Sequence, residues 1–394
     1  MHAILINPKY GFDGRSALNM QDYQKIGDLS FMQSAELRHR GAFSTVAQCF
    51  AACCVECGKS SDTATAALPQ KWYHEALDII QAQATALTRR SAGLPAILTG
   101  ILAAHVMDGF FDSVVRELQH MACQPTSAFH EHGKTGLQQV HAMNCLKDIF
   151  ASTRVGPSAE KHLESTLQIA VSSLNHDIWS IRNFGGMLLK AILNRLTGGA
   201  GVNTLHTREG HRRATKTIYN KYPSLADVVS QLLRASIRRD GMGSAEQVNN
   251  GFPALEIIHR VGVHESCQGA VKQLLLKLLE SPVWSLRERA AQALSQVFDY
   301  RVLVVELINS LRDSSSANLV HGRLLCIRFC ISSLPLLEVL PILKDFLQLM
   351  NTVTWLIVPM LATTYFDTAT GIIQSMLKNK GMFSLLSATI DQTC

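Results

Sequence analysis

Two stretches of this chain repeat one another closely enough to dictate its architecture. Asp177-Ile178-Trp179-Ser180-Ile181-Arg182 and Pro282-Val283-Trp284-Ser285-Leu286-Arg287 share the order apolar, Trp, Ser, apolar, Arg. The likeness continues beyond them. Ile178, Ile181, Gly185, Leu188 and Ile192 have counterparts in Val283, Leu286, Ala290, Ala293 and Val297, stepping by three and four residues in both cases. That step is the period of one buried helical face. A further amphipathic helix precedes each stripe, through Leu163, Leu167, Ala170 and Leu174 in the first and Val271, Leu274 and Leu278 in the second. The unit is therefore a helical hairpin. Trp179 and Trp284 read as core residues at the head of each stripe, with Arg182 and Arg287 capping neighbouring turns.

A Trp and an Arg opening the second helix of a hairpin, after a short polar turn, resemble the HEAT repeat. Its unit of ~40 to 47 residues fits between two and three times into the interval from Trp179 to Trp284. A weaker hairpin follows at residues 302–331. A lone hairpin cannot bury its apolar face, so neighbours must stack. The expected fold is all-α, a HEAT/armadillo-like α-solenoid of stacked antiparallel helical hairpins. Composition agrees: 47% of residues are hydrophobic and only 7% aromatic, with 11 prolines, a balance that favours long helices over short strands.

Polar or Gly-rich breaks at 58–65, 124–136, 156–158, 197–211, 240–251 and 314–318 read as loops. Residues 1–35 lack periodicity and read as an irregular leader or a cut edge, residues 36–330 as the repeat region, and 331–394 as further helices of the same solenoid. No secretory signal is visible at the start. Leu334–Met350 is interrupted by Glu338, Lys344 and Asp345, and Val353–Leu361 is too short for the ~20 apolar residues of a membrane span, so no membrane insertion is expected. The ten cysteines are irregularly spaced, which fits a reducing cytoplasm better than a disulfide framework.

Few segments could carry chemistry. Ala128–Thr135 loosely matches a phosphate-binding loop, but no apolar strand runs into it and Pro125 precedes it. Cys49, Cys53 and Cys57 form one helical ridge that His39 could approach, yet no second ligand pair accompanies them. No pattern nominates a nucleophile with its base. Neither a catalytic residue, a cofactor site nor a metal is expected in this chain.

Thr88–Pro95 is different. It places Arg89 and Arg90, the Ser91 hydroxyl, Gly93 and a helix-starting Pro95 between two apolar helices. Such a corner can clamp a phosphate or carboxylate with its guanidiniums and helix-start amides. Equally, the arginines can offset the first helix's C-terminal dipole while Gly93 and Pro95 shape the turn.

Arg89-Arg90-Ser91-Ala92-Gly93-Leu94-Pro95 resembles the signature heptapeptide of the THADA family. Leu37-Arg38-His39-Arg40-Gly41-Ala42-Phe43 resembles another family element, as do His141–Leu146 with Thr153-Arg154, Trp179–Asn183, Tyr219–Leu225 and Asn318–Leu325, all in the family's order. The resemblance implies a non-catalytic partner of a Rossmann-fold methyltransferase that 2′-O-methylates a ribose in the tRNA anticodon loop, at position 32. It further implies that S-adenosylmethionine binds the partner only. Arg38, His39, Arg40, Arg89–Pro95 and Arg154 are the residues it nominates for contact with the partner or tRNA. Family members are usually far longer, so the chain resembles a fragment.

Basic groups recur at Arg38 with Arg40, Arg89 with Arg90, Arg212, Arg213, Lys216 and Lys221, and Arg234, Arg238 and Arg239. Clusters of this kind grip phosphates without reading sequence, and they equally occur as solvated helix surface. A net charge of +6 falls well short of the dense positive field of a dedicated nucleic-acid module, so local clusters matter more than the total, and no DNA partner is expected. The alternative reading is a HEAT-repeat adaptor for proteins, or a regulator of a membrane protein.

Overall fold

The computed structural model describes residues 18–36, 40–82, 93–104, 109–125, 138–197, 208–237, 244–312, 316–331, 336–349 and 353–377. Seventeen long helices and no strand occur among the described residues. The chain divides into two compact units, Met1–Gly201 and Val202–Cys394.

The first unit holds α1 (Met20–Glu36), α2 (Arg40–Gly58), α3 (Leu68–Ala82), α4 (Leu94–Ala104), α5 (Gly109–Ala122), α6 (Gln138–Ala151), α7 (Leu163–Ser173) and α8 (Trp179–Leu196). Consecutive helices pair as α1 with α2, α3 with α4, α5 with α6 and α7 with α8. The second member of each pair also packs on the second member of the next, α2 on α4, α4 on α6 and α6 on α8. Two layers result, and the second-helix layer is the more buried. Helix α4 shows why: Leu94, Ile97, Leu98, Ile101 and Leu102 are all at most 2% exposed, so it meets neighbours on nearly every side. Helix α5, in the first layer, buries only the stripe Phe111, Val114, Val115, Leu118, Met121 and Ala122. Each such side chain contributes about 1.5–3 kcal/mol of transfer free energy.

The second unit repeats this plan with α9 (Arg208–Lys221), α10 (Ser224–Ile237), α11 (Ser244–Val261), α12 (Gln268–Leu278), α13 (Trp284–Val297), α14 (Tyr300–Leu311), α15 (Ala317–Ile331), α16 (Leu336–Gln348) and α17 (Pro359–Leu377). Pairs form between α10 and α11, α12 and α13, α14 and α15, and α16 and α17, while α11, α13, α15 and α17 stack in series. Both units thus have the stacked-hairpin architecture that the recurring stripe predicts. No described helix is long and apolar enough to cross a membrane.

Three expectations need correction. The stretch expected as a leader contains α1, a full member of the first layer, with Tyr23 and Phe31 each 6% exposed. Its anchor is distant in sequence: the Trp72 indole Nε1 donates to the Asp28 carboxylate at 2.8 Å, and Gly27 leaves the room that the Trp72 ring occupies. Parts of the expected loops are helical: 58–65 holds the short helix Thr63–Ala66, 156–158 falls within Gly156–Ala159, 197–211 is helical from Arg208 and 240–251 from Ser244, with Pro253 inside α11. Finally, Trp179 and Trp284 are 68% and 53% exposed, outside the core. Each stands two residues before a buried stripe position, Ile181 or Leu286, which at about 100° per residue points it to the opposite side of the helix.

Of the described glycines, Gly322 stands tightest against another helix's backbone, where α15 crosses the end of α12. A Cβ on Gly322 would overlap the backbone carbonyl of Leu279, which cannot swing aside as a flexible side chain could. Gly322→Ala should therefore destabilise the protein by about 1–3 kcal/mol. Gly371→Ala in α17, where nothing lies within 4 Å of the added carbon, should be neutral or stabilising by up to ~1 kcal/mol. Thermal melts followed by circular dichroism separate the two; equal melting temperatures would contradict the tight crossing.

Candidate partner-facing surface

Arg38, His39, Arg89, Arg90, Ser91 and Ala92 lie outside the described residues, as does the phosphate-loop-like segment Ala128–Thr135. Arg40 begins α2. The heptapeptide's second half is placed: Gly93 forms the turn and its carbonyl accepts from the Ile97 amide at 3.0 Å, while Leu94 and Pro95 open α4. All three are buried. Gly93, Leu94 and Pro95 therefore shape the corner and present no side chain for a partner to touch. A helix start with Pro near its first position and no interior amide to lose is the geometry expected of this sequence.

Arg154 is exposed in the turn after α6, where its amide donates to the Ser152 hydroxyl at 3.2 Å. Beside it, Arg195 of α8 donates from Nε and Nη2 to the Phe150 carbonyl, each at 3.1 Å, and from Nη2 to the Ser152 carbonyl at 2.5 Å. Those carbonyls belong to the last turn of α6, whose final groups have no partner within the helix. One guanidinium thus closes the end of α6 and holds the Arg154 turn in place.

The two Trp corners share a single construction. In the first unit, the Ile178 amide donates to His176 Nδ1 at 3.0 Å, and Arg182 Nη1 donates to the carbonyls of His176 at 2.6 Å and Asp177 at 2.8 Å. In the second, the Val283 amide donates to the Ser281 hydroxyl at 3.2 Å, and Arg287 Nη1 donates to the carbonyls of Ser281 at 2.6 Å and Pro282 at 3.2 Å. The arginine folds back over the turn it follows and fixes its carbonyls, and the indole projects from that fixed turn. Sequence reasoning foresaw the arginine's capping role and misplaced the indole.

The second corner goes deeper. Arg287 is 3% exposed and also donates from Nη1 to Asn318 Oδ1 at 3.1 Å and from Nε to His321 Nδ1 at 3.2 Å. Accepting at Nδ1 keeps the imidazole neutral, with its proton on Nε2. Burial, followed by the neighbouring Arg287 cation, lowers the His321 pKa from 6.5 to about 4. Nothing in the sequence signals this coupling between residues 287 and 321.

Other polar groups are structural. Asp112 Oδ2 and Oδ1 accept from Lys161 Nζ at 2.7 Å and bond His162 Nε2 at 2.8 Å, tying α5 to the turn before α7. Cys53, Cys54 and Cys57 are buried on α2. The neighbouring Cys57, then burial, pushes the Cys53 thiol far up, and burial does the same to Cys54. Thiols held protonated are poor metal ligands and nucleophiles. Among the described residues, no group of three or more His, Cys, Asp and Glu is placed to hold a metal ion.

Several basic groups are exposed in the second unit. Helix α9 carries Arg208, Arg212, Arg213, Lys216 and Lys221 against Glu209 alone, with Lys216 and Lys221 exposed, and Arg234 is exposed on α10. Arg238 and Arg239 lie outside the described residues.

Stacked helical hairpins in both units define a helical-repeat protein. The chain belongs to the THADA/Trm732 family. Residues 1–180 match the family described as THADA/TRM732, DUF2428, and residues 182–330 match Trm732, C-terminal TPR repeats. It is similar to tRNA (32-2'-O)-methyltransferase regulator trm732 of Schizosaccharomyces pombe, 30% identical over 323 residues, which cover 78% of this chain and 21% of that protein. It is also similar to proteins named tRNA (32-2'-O)-methyltransferase regulator THADA, from Gallus gallus at 23% identity (80% of this chain, 17% of that one) and from Drosophila melanogaster at 24% (79% and 20%). The chain spans about a fifth of the length of these curated relatives.

The pH dependence of stability follows from His321. Its native pKa near 4 lies below the unfolded 6.5, so the unfolded chain binds the extra proton between those values. Stability from this site is complete above pH 6.5 and is lost as pH falls toward 4. The melting temperature should drop by several degrees between pH 7 and pH 4.5, and His321→Gln should flatten that slope. A slope unchanged in the variant would show that other groups carry it.

Proposed function

We propose that this chain is a non-catalytic scaffold and regulatory subunit that helps a partner methyltransferase 2′-O-methylate a ribose in the tRNA anticodon loop, at position 32. The observation that carries the reading is the 30% identity, over 78% of the chain, to a protein named as a regulator of that methylation. The partner is a Rossmann-fold enzyme that binds S-adenosylmethionine, and this chain needs no cofactor of its own. Within each unit, stacked repeats supply a row of helices on which an RNA or an enzyme can rest. Exposed cations such as Lys216, Lys221, Arg234 and Arg154 supply phosphate contacts that position the RNA without reading its sequence. The complex works in the cytoplasm.

The heptapeptide corner supports the reading through a division of labour. Buried Gly93, Leu94 and Pro95 fix the start of α4, and Arg89 and Arg90 immediately precede that start in the chain. The test is a position-32 methylation assay on the chain copurified with its methyltransferase. Replacing Arg89 and Arg90 together by Ala should lower methylation about tenfold or more, the cost of losing charge-assisted hydrogen bonds. Helix content and stability should stay within ~1 kcal/mol of the wild type. Loss of enzyme from the purified complex assigns the pair to the protein interface, and a loss that mimics added salt assigns it to tRNA. Full methylation by the double variant would refute the site. Failure of the chain to capture a tRNA methyltransferase or tRNA from extract would refute the function.

A further inference from the structure

Helix α8 has an outer ridge that packing does not explain. Trp179, Asn183, Met187, Lys190 and Asn194 are all exposed and recur every three to four residues along one line. Ile181, Leu188, Leu189 and Ile192 face the core. The helix carries Arg182, Lys190 and Arg195 and no carboxylate over its 18 residues. At its far end stands exposed Arg154, on the turn that Arg195 braces. Asp177 is exposed just before Trp179, and its carbonyl is held by Arg182.

We propose that this ridge is a contact surface for unpaired RNA, with the Trp179 indole stacking on a base and Lys190, about 16 Å further along the helix axis, meeting the phosphate backbone. Three features favour RNA over a protein partner. The indole is 68% exposed yet projects from a turn whose carbonyls Arg182 fixes, so little conformational freedom is lost when a base covers it. The two apolar members, Trp179 and Met187, are interleaved with Asn183, Lys190 and Asn194 and do not form the contiguous apolar patch of a protein interface core. That interleaving of ring, amide and cation is what a single strand requires: a stacking platform, hydrogen bonding for base edges, and charge for phosphates. The absence of any carboxylate on α8 completes the charge match.

The second unit provides an internal control. Trp284 occupies the same clamped corner at the head of α13, but Glu288 lies one turn on, Gln292 follows, and the position matching Lys190 is the buried Ser295, with exposed Arg289 standing off that line. A role in holding the corner together would affect both tryptophans alike, whereas RNA contact selects Trp179.

The inference rests on the reading that this chain touches tRNA, and one experiment separates the two. Binding of the full chain to an unmodified tRNA transcript, and to a fully paired RNA duplex of equal length, is measured by fluorescence anisotropy at several salt concentrations. Trp179→Ala should weaken tRNA binding at least about fivefold with duplex binding and melting temperature unchanged, and Trp179→Phe should recover most of the loss. Lys190→Ala should weaken binding and reduce the salt slope by about one. Trp284→Ala should match the wild type. The proposal is overturned if Trp179→Ala binds tRNA like the wild type, if both Trp variants lose equally, or if the loss appears only in association with a protein. A wild-type chain that binds no tRNA would overturn the proposed function with it, whereas tRNA binding unaffected by the ridge variants would overturn the ridge alone.

Discussion

A hairpin that turns between two stacked helices leaves backbone carbonyls with no partner inside either helix. The solution used twice in this chain is an arginine four residues into the next helix region, reaching back over the turn. Arg182 bonds the carbonyls of His176 and Asp177, and Arg287 those of Ser281 and Pro282. A charged donor to a carbonyl contributes about 1.5–3 kcal/mol, and an unsatisfied buried carbonyl costs a comparable amount. The turn angle, and with it the way α8 lies on α7 and α13 on α12, depends on that clamp. Layering follows, because each second helix can stack on the next only if every turn delivers it to the same side.

The two clamps differ in how far they reach. Arg182 serves its own turn, while Arg287 also engages Asn318 and His321 of α15. It thereby joins three helices that no local sequence pattern connects. The guanidinium's fixed fork suits this, since Nη1 serves the turn carbonyls and Asn318 while Nε faces the imidazole. A lysine could satisfy the turn but could not hold the imidazole at the same time.

The architecture was legible because it rests on a period. Ile181, Gly185, Leu188 and Ile192 repeat in Leu286, Ala290, Ala293 and a later apolar residue, and that repetition needs no knowledge of neighbours. Trp179 was misread although the same arithmetic places it opposite Ile181, because its apolar bulk outweighed its angle. Helix α1 escaped notice for another reason: its interior is a glycine, a carboxylate and two rings, and they make sense only once Trp72 arrives from α3. The candidate surface was half legible. Gly93, Leu94 and Pro95 stood out as a motif, but a string of residues does not reveal which members face inward. Beyond Trp179 and Asn183, the ridge on α8 is invisible to motif reading, since Met187, Lys190 and Asn194 are ordinary residues and only shared exposure makes them a surface.

The cysteines draw a practical consequence from the layering. Cys53, Cys54 and Cys57 on α2, Cys145 on α6, and Cys326 and Cys330 on α15 are all buried in second helices, whereas Cys123 is exposed at the end of α5. A thiol reagent will reach Cys123 at once and the others only when their layer transiently opens. Mass-resolved alkylation therefore turns these thiols into clocks that time the breathing of each unit separately, in the unmodified protein and without an introduced probe.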